Sequence, residues 1–283
     1  MRYTLRAAGA GLAVIWMMGC GDVNISGPDW PNWPPAIPSD PAGSIRDTTE
    51  WRGPIAPGKE IEIKGVFGDI RAVRTSGTDV LVTAIKIGRP HDVAAVDIEV
   101  VPHARGVTIC AVYPDVPGQA PNSCQPGAAG NLSAWDGGRG LARVAFAVEV
   151  PDGVVLVGKS LTGDLDATNL RSDAFLSTMS GTVRVSTAQL ATAKTLSGSI
   201  VATIGRPDWG RDLEFTTMNG DVHVTIPAAV NAVVRAVAPA GRITSDFPLS
   251  HVSAGDMQGT IGSGGPTLKL STLAGNITLR RGP

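Results

Sequence analysis

An all-β chain, wound over much of its length as a β-solenoid, is the fold class this sequence predicts, and three observations predict it. Apolar and polar residues alternate with period two at 60–64, 79–86, 96–101 and 143–150, whereas helical periodicity is nearly absent. The 283 residues include 35 glycines and 21 prolines, about a fifth of the chain, which calls for many turns without reaching low-complexity composition. Third, a short pattern repeats: small residue, glycine, variable, aliphatic, variable, aliphatic. It occurs as Thr162-Gly163-Asp164-Leu165-Asp166-Ala167, Ser180-Gly181-Thr182-Val183-Arg184-Val185, Ser197-Gly198-Ser199-Ile200-Val201-Ala202 and Asn219-Gly220-Asp221-Val222-His223-Val224, with weaker copies at Gly241 and Gly275.

Taken from the start, residues 1–19 have the layout of a secretory signal. Arg2 and Arg6 precede an apolar run from Ala7 to Met18 that is too short to span a bilayer. The run closes at Met17-Met18-Gly19-Cys20, which resembles the lipobox of bacterial lipoproteins, with Met where Leu is usual. Cys20 is therefore the expected lipidation site, and the lipid the expected contact with the membrane. Gly21 directly after it favours outer-membrane sorting over inner-membrane retention in a two-membrane cell. Residues 20–47 read as anchor and tether, because prolines 28, 31, 34, 35, 38 and 41 interrupt any helix or ladder. Trp30 and Trp33 within it suit the lipid interface.

Residues 48–150 carry the strand pattern less regularly, with a copy of the repeat at Phe67-Gly68-Asp69-Ile70-Arg71-Ala72 and a partial one at Ser76-Gly77. This part either continues the solenoid or forms a sandwich-like unit of its own. With Cys20 assigned to lipid, Cys110 and Cys124 remain, in a Gly/Pro-rich excursion over 102–140. In an exported protein they are expected to pair, closing a loop for a stabilisation of about 3 kcal/mol.

From 151 to 283 the glycines are separated by 18, 17, 22, 21 and 34 positions, the last about two periods. Coils of roughly 17–22 residues follow, each leaning on its neighbours because none buries its face alone. Two residues before the glycines stand Leu161, Met179, Leu196, Met218 and Leu273, Pro239 being the exception. This column and the aliphatic column after the glycine are both expected to face inward. The charged, proline-terminated end at Arg280-Arg281-Gly282-Pro283 is expected to blunt an open edge strand.

These turns, with Ser245-Asp246-Phe247-Pro248-Leu249, Gly259-Thr260-Ile261-Gly262-Ser263-Gly264-Gly265-Pro266 and Leu268-Lys269-Leu270-Ser271-Thr272, resemble the bacterial putative-adhesin β-strand-repeat family, a domain of unknown function, over about residues 50–281. The resemblance implies an extracytoplasmic β-solenoid and brings no catalytic residues. It is also the only ground for a role in envelope-stress sensing.

Chemistry is sparsely written. A net charge of −1 without basic blocks argues against nucleic acid as a partner. Asp69, Asp164, Asp221 and Asn276 share one repeat position, but so do Thr182, Ser199 and Arg242, so the column reads as turn residues rather than metal ligands. Histidines 91, 103, 223 and 251 lack metal-ligand spacing, and no cofactor is expected. Gly158-Lys159-Ser160 reads as a strand end, not a phosphate loop. Glu214 is the one glutamate beyond 149, which disfavours a carbohydrate-active enzyme needing paired carboxylates. The outward Thr182, Arg184, Thr244 and Thr278 are left as candidate ligand-facing residues, and a non-catalytic envelope scaffold binding a polysaccharide or an envelope protein as the expected function. The register itself is testable by thermal unfolding. Val222→Asp should unfold or aggregate the protein, and His223→Asp should shift stability by no more than about 0.5 kcal/mol; equal tolerance would overturn the register.

Overall fold

The computed structural model describes residues 3–5, 42–135 and 141–282. The expected lipidation site Cys20, nearly all of the expected signal peptide, and Trp30 and Trp33 lie outside them. In chain order the elements are β1 (Tyr3–Leu5), β2 (Ile45–Pro54), β3 (Glu60–Lys64), β4 (Ile70–Arg74), β5 (Asp79–Gly88), the one-turn α1 (Pro90–Ala94), β6 (Asp97–His103), β7 (Gly106–Val112) and β8 (Arg143–Val150). Then follow β9 (Val155–Thr162), β10 (Leu165–Leu170), β11 (Ala174–Ser180), β12 (Val183–Thr187), β13 (Ala191–Lys194), β14 (Ile200–Ile204), β15 (Leu213–Thr216) and β16 (Val222–Pro227). The chain finishes with β17 (Ala232–Val237), β18 (Ile243–Ser245), β19 (Ser250–Ser253), β20 (Asp256–Ile261), β21 (Thr267–Ser271) and β22 (Ile277–Gly282).

These strands make two sheets. Sheet 1 runs β1-β6-β7-β3-β9-β11-β13-β15-β21-β17-β20-β19, and sheet 2 runs β18-β22-β16-β14-β12-β10-β4-β8-β5-β2. From β9 onward each coil gives one strand to each sheet, and equivalent strands of successive coils pair in parallel: Leu165↔Val183, Val183↔Ile200 and Ile200↔Val222. The period-two alternation turns one aliphatic face of each sheet toward the other, so the core lies between the sheets. Val183, Ile200 and Val222 are fully buried there, and His223 points outward. Facing them in sheet 1 is the column Ile63, Gly158, Leu176, Ala193, Phe215, Leu270, Ala236, in which the small Gly158, Ala193 and Ala236 each sit beside a large residue. A Cβ on Gly158 would crowd Leu176 Cδ2, so the space left by each small residue is used by its neighbour.

The corner glycines set the coil spacing. Gly163, Gly181, Gly198 and Gly220 all have φ between 143° and 148°, a region closed to side chains. On each, an added Cβ would overlap the carbonyl of the glycine in the adjoining coil: Gly68, Gly163, Gly181 and Gly198 in turn. The backbones therefore stack directly.

Four sequence expectations need correction. The column Leu161, Met179, Leu196, Met218 and Leu273 does not face inward; its members are 36%, 52%, 43%, 44% and 53% exposed. Alternation within β11 puts Leu176 and Thr178 inward and Met179 outward, and it does not carry through the glycine corner to the next strand. Coils also do not stack in chain order. β22 pairs with β16 on one side and β18 on the other, and β21 lies between β15 and β17. The last coil is thus inserted beneath the one before it, and Gly275 stacks on Gly220. As a result Arg280 and Arg281 do not guard an open edge. They hold the segment after β18, with Arg280 Nη1 3.1 Å from Asp246 Oδ1, the Arg281 amide donating to Asp246 Oδ2 at 3.0 Å and its guanidinium over Phe247. Finally, Ser76-Gly77 is the exposed turn between β4 and β5, not a coil corner.

Both sheets run without a break into the N-terminal part, where β3 pairs with β9 and β4 with β10 in parallel. β3 also pairs with β7 and β4 with β8 in parallel, and beyond those antiparallel pairs take over, β6 with β7, β5 with β8 and β2 with β5. β2 already starts at Ile45, inside the stretch that reads as tether. The glycine column makes a direct prediction for urea unfolding. Gly181→Ala should cost about 4 kcal/mol or prevent folding. Gly210→Ala, where nothing lies within 4 Å of the added carbon, should change stability by about 0.5 kcal/mol or less.

Candidate functional site

Two side-chain ladders accompany the stacked corner glycines. Ser160, Thr178, Thr195, Thr217 and Thr272 are buried, and their hydroxyls donate to the carbonyls of Gly68, Gly163, Gly181, Gly198 and Gly220 at 2.8 to 3.2 Å. These hydroxyls satisfy acceptors that the close stacking would otherwise leave unpaired. Sequence reasoning missed this column, although Ser or Thr stands three residues before Gly163, Gly181, Gly198, Gly220 and Gly275. On the other side of the corner Asp69 Oδ1 accepts the Asp164 amide at 2.9 Å, Asp164 Oδ1 that of Thr182 at 2.7 Å, and Asp221 Oδ1 that of Asn276 at 2.7 Å. Asn276 Oδ1 in turn accepts the Arg242 amide at 3.0 Å. The aspartates serve the turns of the neighbouring coil.

The ligand-facing residues expected from sequence come together only in part. Asp166, Arg184, Val201, His223, Thr278 and Thr244 form one outward row across sheet 2. Thr278 and Thr244 are direct neighbours, whereas β14 and β16 separate Arg184 from Thr278, and Val201 interrupts the row. Thr182 is not on this face; it sits in the corner ladder.

Outward charge concentrates instead on sheet 1, in two places. At the N-terminal end the excursion after β7 is stapled by the Cys110–Cys124 disulfide and folds over β3 and β9. Glu62, 1% exposed, receives Lys159 Nζ at 2.7 Å, Thr108 Oγ1 at 2.8 Å and the Gly127 amide at 2.8 Å. Lys64 and Lys159 are cross-strand neighbours, and their ammonium groups donate onward to the carbonyls of Ala129 and Gly127. Burial alone would push the Glu62 carboxyl up. The hydrogen bonds from Lys159, Gly127 and Thr108 outweigh it and hold the group below the usual glutamate range. Burial pushes the Lys64 ammonium down.

Further along the stack, Glu214 lies between Lys194 and Lys269, with Lys269 Nζ at 2.9 Å. Hydrogen bonds from Lys194 and then Lys269, against some burial, lower its carboxyl to about 2. These three residues, with Thr192, Asp212 and Arg235, line a cleft of about 430 Å³. The same face continues through the outward row Lys194, Thr216, Ser271 and Val237 to the apolar ridge of Leu196, Met218 and Leu273. Charge, hydroxyls and exposed aliphatic groups follow one another on a single surface. Among the described residues no group of three or more His, Cys, Asp or Glu side chains is placed to hold a metal ion.

Residues 156–280 match the Toastrack DUF4097 family. This stretch is similar to Toastrack domains. The match begins in β9 and ends in β22, so it spans all the coils stacked from β9/β10 onward, including the inserted one. Solved structures similar to the chain include a putative cell adhesion protein from Clostridium sporogenes, 9% identical, with a TM-score of 0.44 over 83% of this chain and 100% of that one. Another is a putative adhesin from Bacteroides fragilis, 12% identical, with a TM-score of 0.30 over 83% and 97%. No curated protein matches the sequence.

The Glu62 cluster anchors the excursion to the stack of coils, and removing the carboxylate would leave two lysines facing each other. Glu62→Ala should therefore lower stability by about 3 kcal/mol in urea at neutral pH. Because the folded carboxyl titrates below its unfolded value, its contribution is complete above the ordinary glutamate range and disappears as pH falls through the lowered value. The gap between wild type and variant should close in acid; a gap independent of pH would show that the carboxylate is not the anchor.

Proposed function

We propose that this protein is a non-catalytic, adhesin-like scaffold of the cell envelope. In this reading residues 1–19 direct export, Cys20 carries the lipid, and the segment from 20 to about 44, before β2, holds the folded part off the membrane. The stack then binds an envelope polymer or protein with the face of sheet 1 that ends in the apolar ridge. No helix among the described residues is long and apolar enough to cross a membrane; the attachment proposed is the lipid on Cys20.

The observation that carries the proposal is the ridge itself. Leu161, Met179, Leu196, Met218 and Leu273 stand in line, one per coil, each at least 36% exposed. Large apolar side chains aligned on the outside of a folded protein mark a contact surface. Here they adjoin rows of hydroxyls and lysines, a mixture suited to a chain with alternating polar and apolar faces.

The chemistry of Glu214 supports the non-catalytic reading over a glycoside hydrolase. A general acid needs a raised carboxyl pKa, whereas the two lysines hold this one at about 2. It is ionised throughout the physiological range and has no proton to give.

The test is co-sedimentation of the full-length chain, in detergent, with sacculi and surface polysaccharide from its own cells, together with an assay for released sugar ends. Binding without release is expected. Met179→Gln combined with Met218→Gln should weaken it roughly tenfold, as loss of two partly buried apolar contacts implies, without moving the unfolding midpoint. Release of sugar ends by purified protein would overturn the proposal.

A further inference from the structure

We infer that the cleft formed by β13, β15, β21 and β17 is an oxyanion site, and that it takes the carboxylate or phosphate substituents of an acidic glycan. This deepens the scaffold reading and rests on it for the polymer, but its residues are distinct from the ridge. Three observations converge on it.

Lys269 and Arg235 stand directly opposite each other on β21 and β17. Like charges in that relation repel across a sheet, so the pair calls for an anion. The cleft's own carboxylates do not supply one on the Arg235 side. Glu214 lies across from Lys269 on the far strand and is shared with Lys194, and Asp212 Oδ1 accepts the Thr267 amide at 2.7 Å. Arg235 has no hydrogen-bond or ion-pair partner among the described residues, and it is exposed.

The same protein shows how such a pair is satisfied when the anion is internal. Lys64 and Lys159 are likewise opposite on β3 and β9, and there Glu62 lies 2.7 Å from one and 4.0 Å from the other while backbone carbonyls of the excursion take further N–H groups. At Lys269 and Arg235 no excursion covers the sheet, and the corresponding place opens into the cleft. An arginine fork beside a lysine suits a carboxylate or phosphate. Thr192 and Thr267 line the same cleft, so hydroxyls capable of pairing with sugar hydroxyls surround the charge.

The experiment is binding of the full-length chain to polygalacturonate, to phosphomannan and to neutral dextran at low salt. Binding to at least one acidic polymer and not to dextran is expected, and which polymer binds distinguishes carboxylate from phosphate. Arg235→Ala should weaken that binding roughly tenfold, the usual cost of a lost charge-assisted contact. Arg184→Ala, which removes the same charge from sheet 2, should leave it unchanged. Glu214→Gln should tighten binding, because it frees both lysines for the polymer. Equal binding to dextran, equal losses in the two arginine variants, or loss of binding in Glu214→Gln would overturn the assignment. If whole-envelope co-sedimentation persists while Arg235→Ala has no effect on either acidic polymer, the cleft assignment falls and the scaffold reading stands. If the ridge variants have no effect while Arg235→Ala does, the ridge is not the contact and the cleft is.

Discussion

Direct backbone stacking at the glycine corner is the constraint on which the rest of this structure depends. A Cβ at Gly163, Gly181, Gly198 or Gly220 would occupy the position of the neighbouring coil's glycine carbonyl. The carbonyls brought so close need donors, and the buried Ser and Thr hydroxyls supply them from the strand end before each corner. That requirement decides what stands where: hydroxyls take the last inward position before the corner at the ends of β9, β11, β13, β15 and β21, and the aliphatic residue that follows is left outside. The exposed ridge is thus a by-product of the corner's hydrogen bonding as much as a surface feature. Once five coils repeat the corner, five apolar side chains are aligned at strand spacing, about 4.8 Å apart.

Close stacking also fixes the outer faces. Parallel strands held in strict register bring equivalent positions of successive coils side by side, so any polar choice at one position becomes a row. The rows on sheet 2 carry mixed side chains and are interrupted by Val201. On sheet 1 they contain lysines that need counter-charges, met once by Glu62 beneath the disulfide-stapled excursion and once by Glu214. The first cluster is closed and structural. The second is open on one side because the lysine on β21 faces an arginine rather than an acid.

Much of this was legible in the sequence. The glycine pattern located the coils, and the alternation within strands correctly separated buried Val222 from exposed His223. The pairing of Cys110 with Cys124 followed from elimination. Two things could not be read. The Leu and Met column was assigned inward by carrying alternation through a corner, where glycine conformation breaks the parity; the Ser/Thr column beside it held the correction. Coil order was the larger loss. Gly241 and Gly275 are separated by about two periods, which a linear reading takes as an insertion, but the hairpin of β19 and β20 fills that interval and β21/β22 returns beneath β17/β18.

That return is what makes the cleft. In chain order Glu214 and Arg235 belong to consecutive coils and would be cross-strand neighbours on β15 and β17, with Glu214 set between Lys194 and Arg235. The insertion of β21 separates them and places Lys269 between: Glu214 pairs with two lysines, and the arginine is released from its natural partner. The insertion adds the charge of Lys269 and takes the carboxylate away from Arg235, without any residue chosen for an unusual property. Because Lys269 is held on both sides by paired strands, the site is as rigid as the stack, and its positive charge is set by topology. A sequence reader looking for basic clusters would not find one here, since Lys194, Arg235 and Lys269 are far apart in the chain and the coil that joins them is the last to be made.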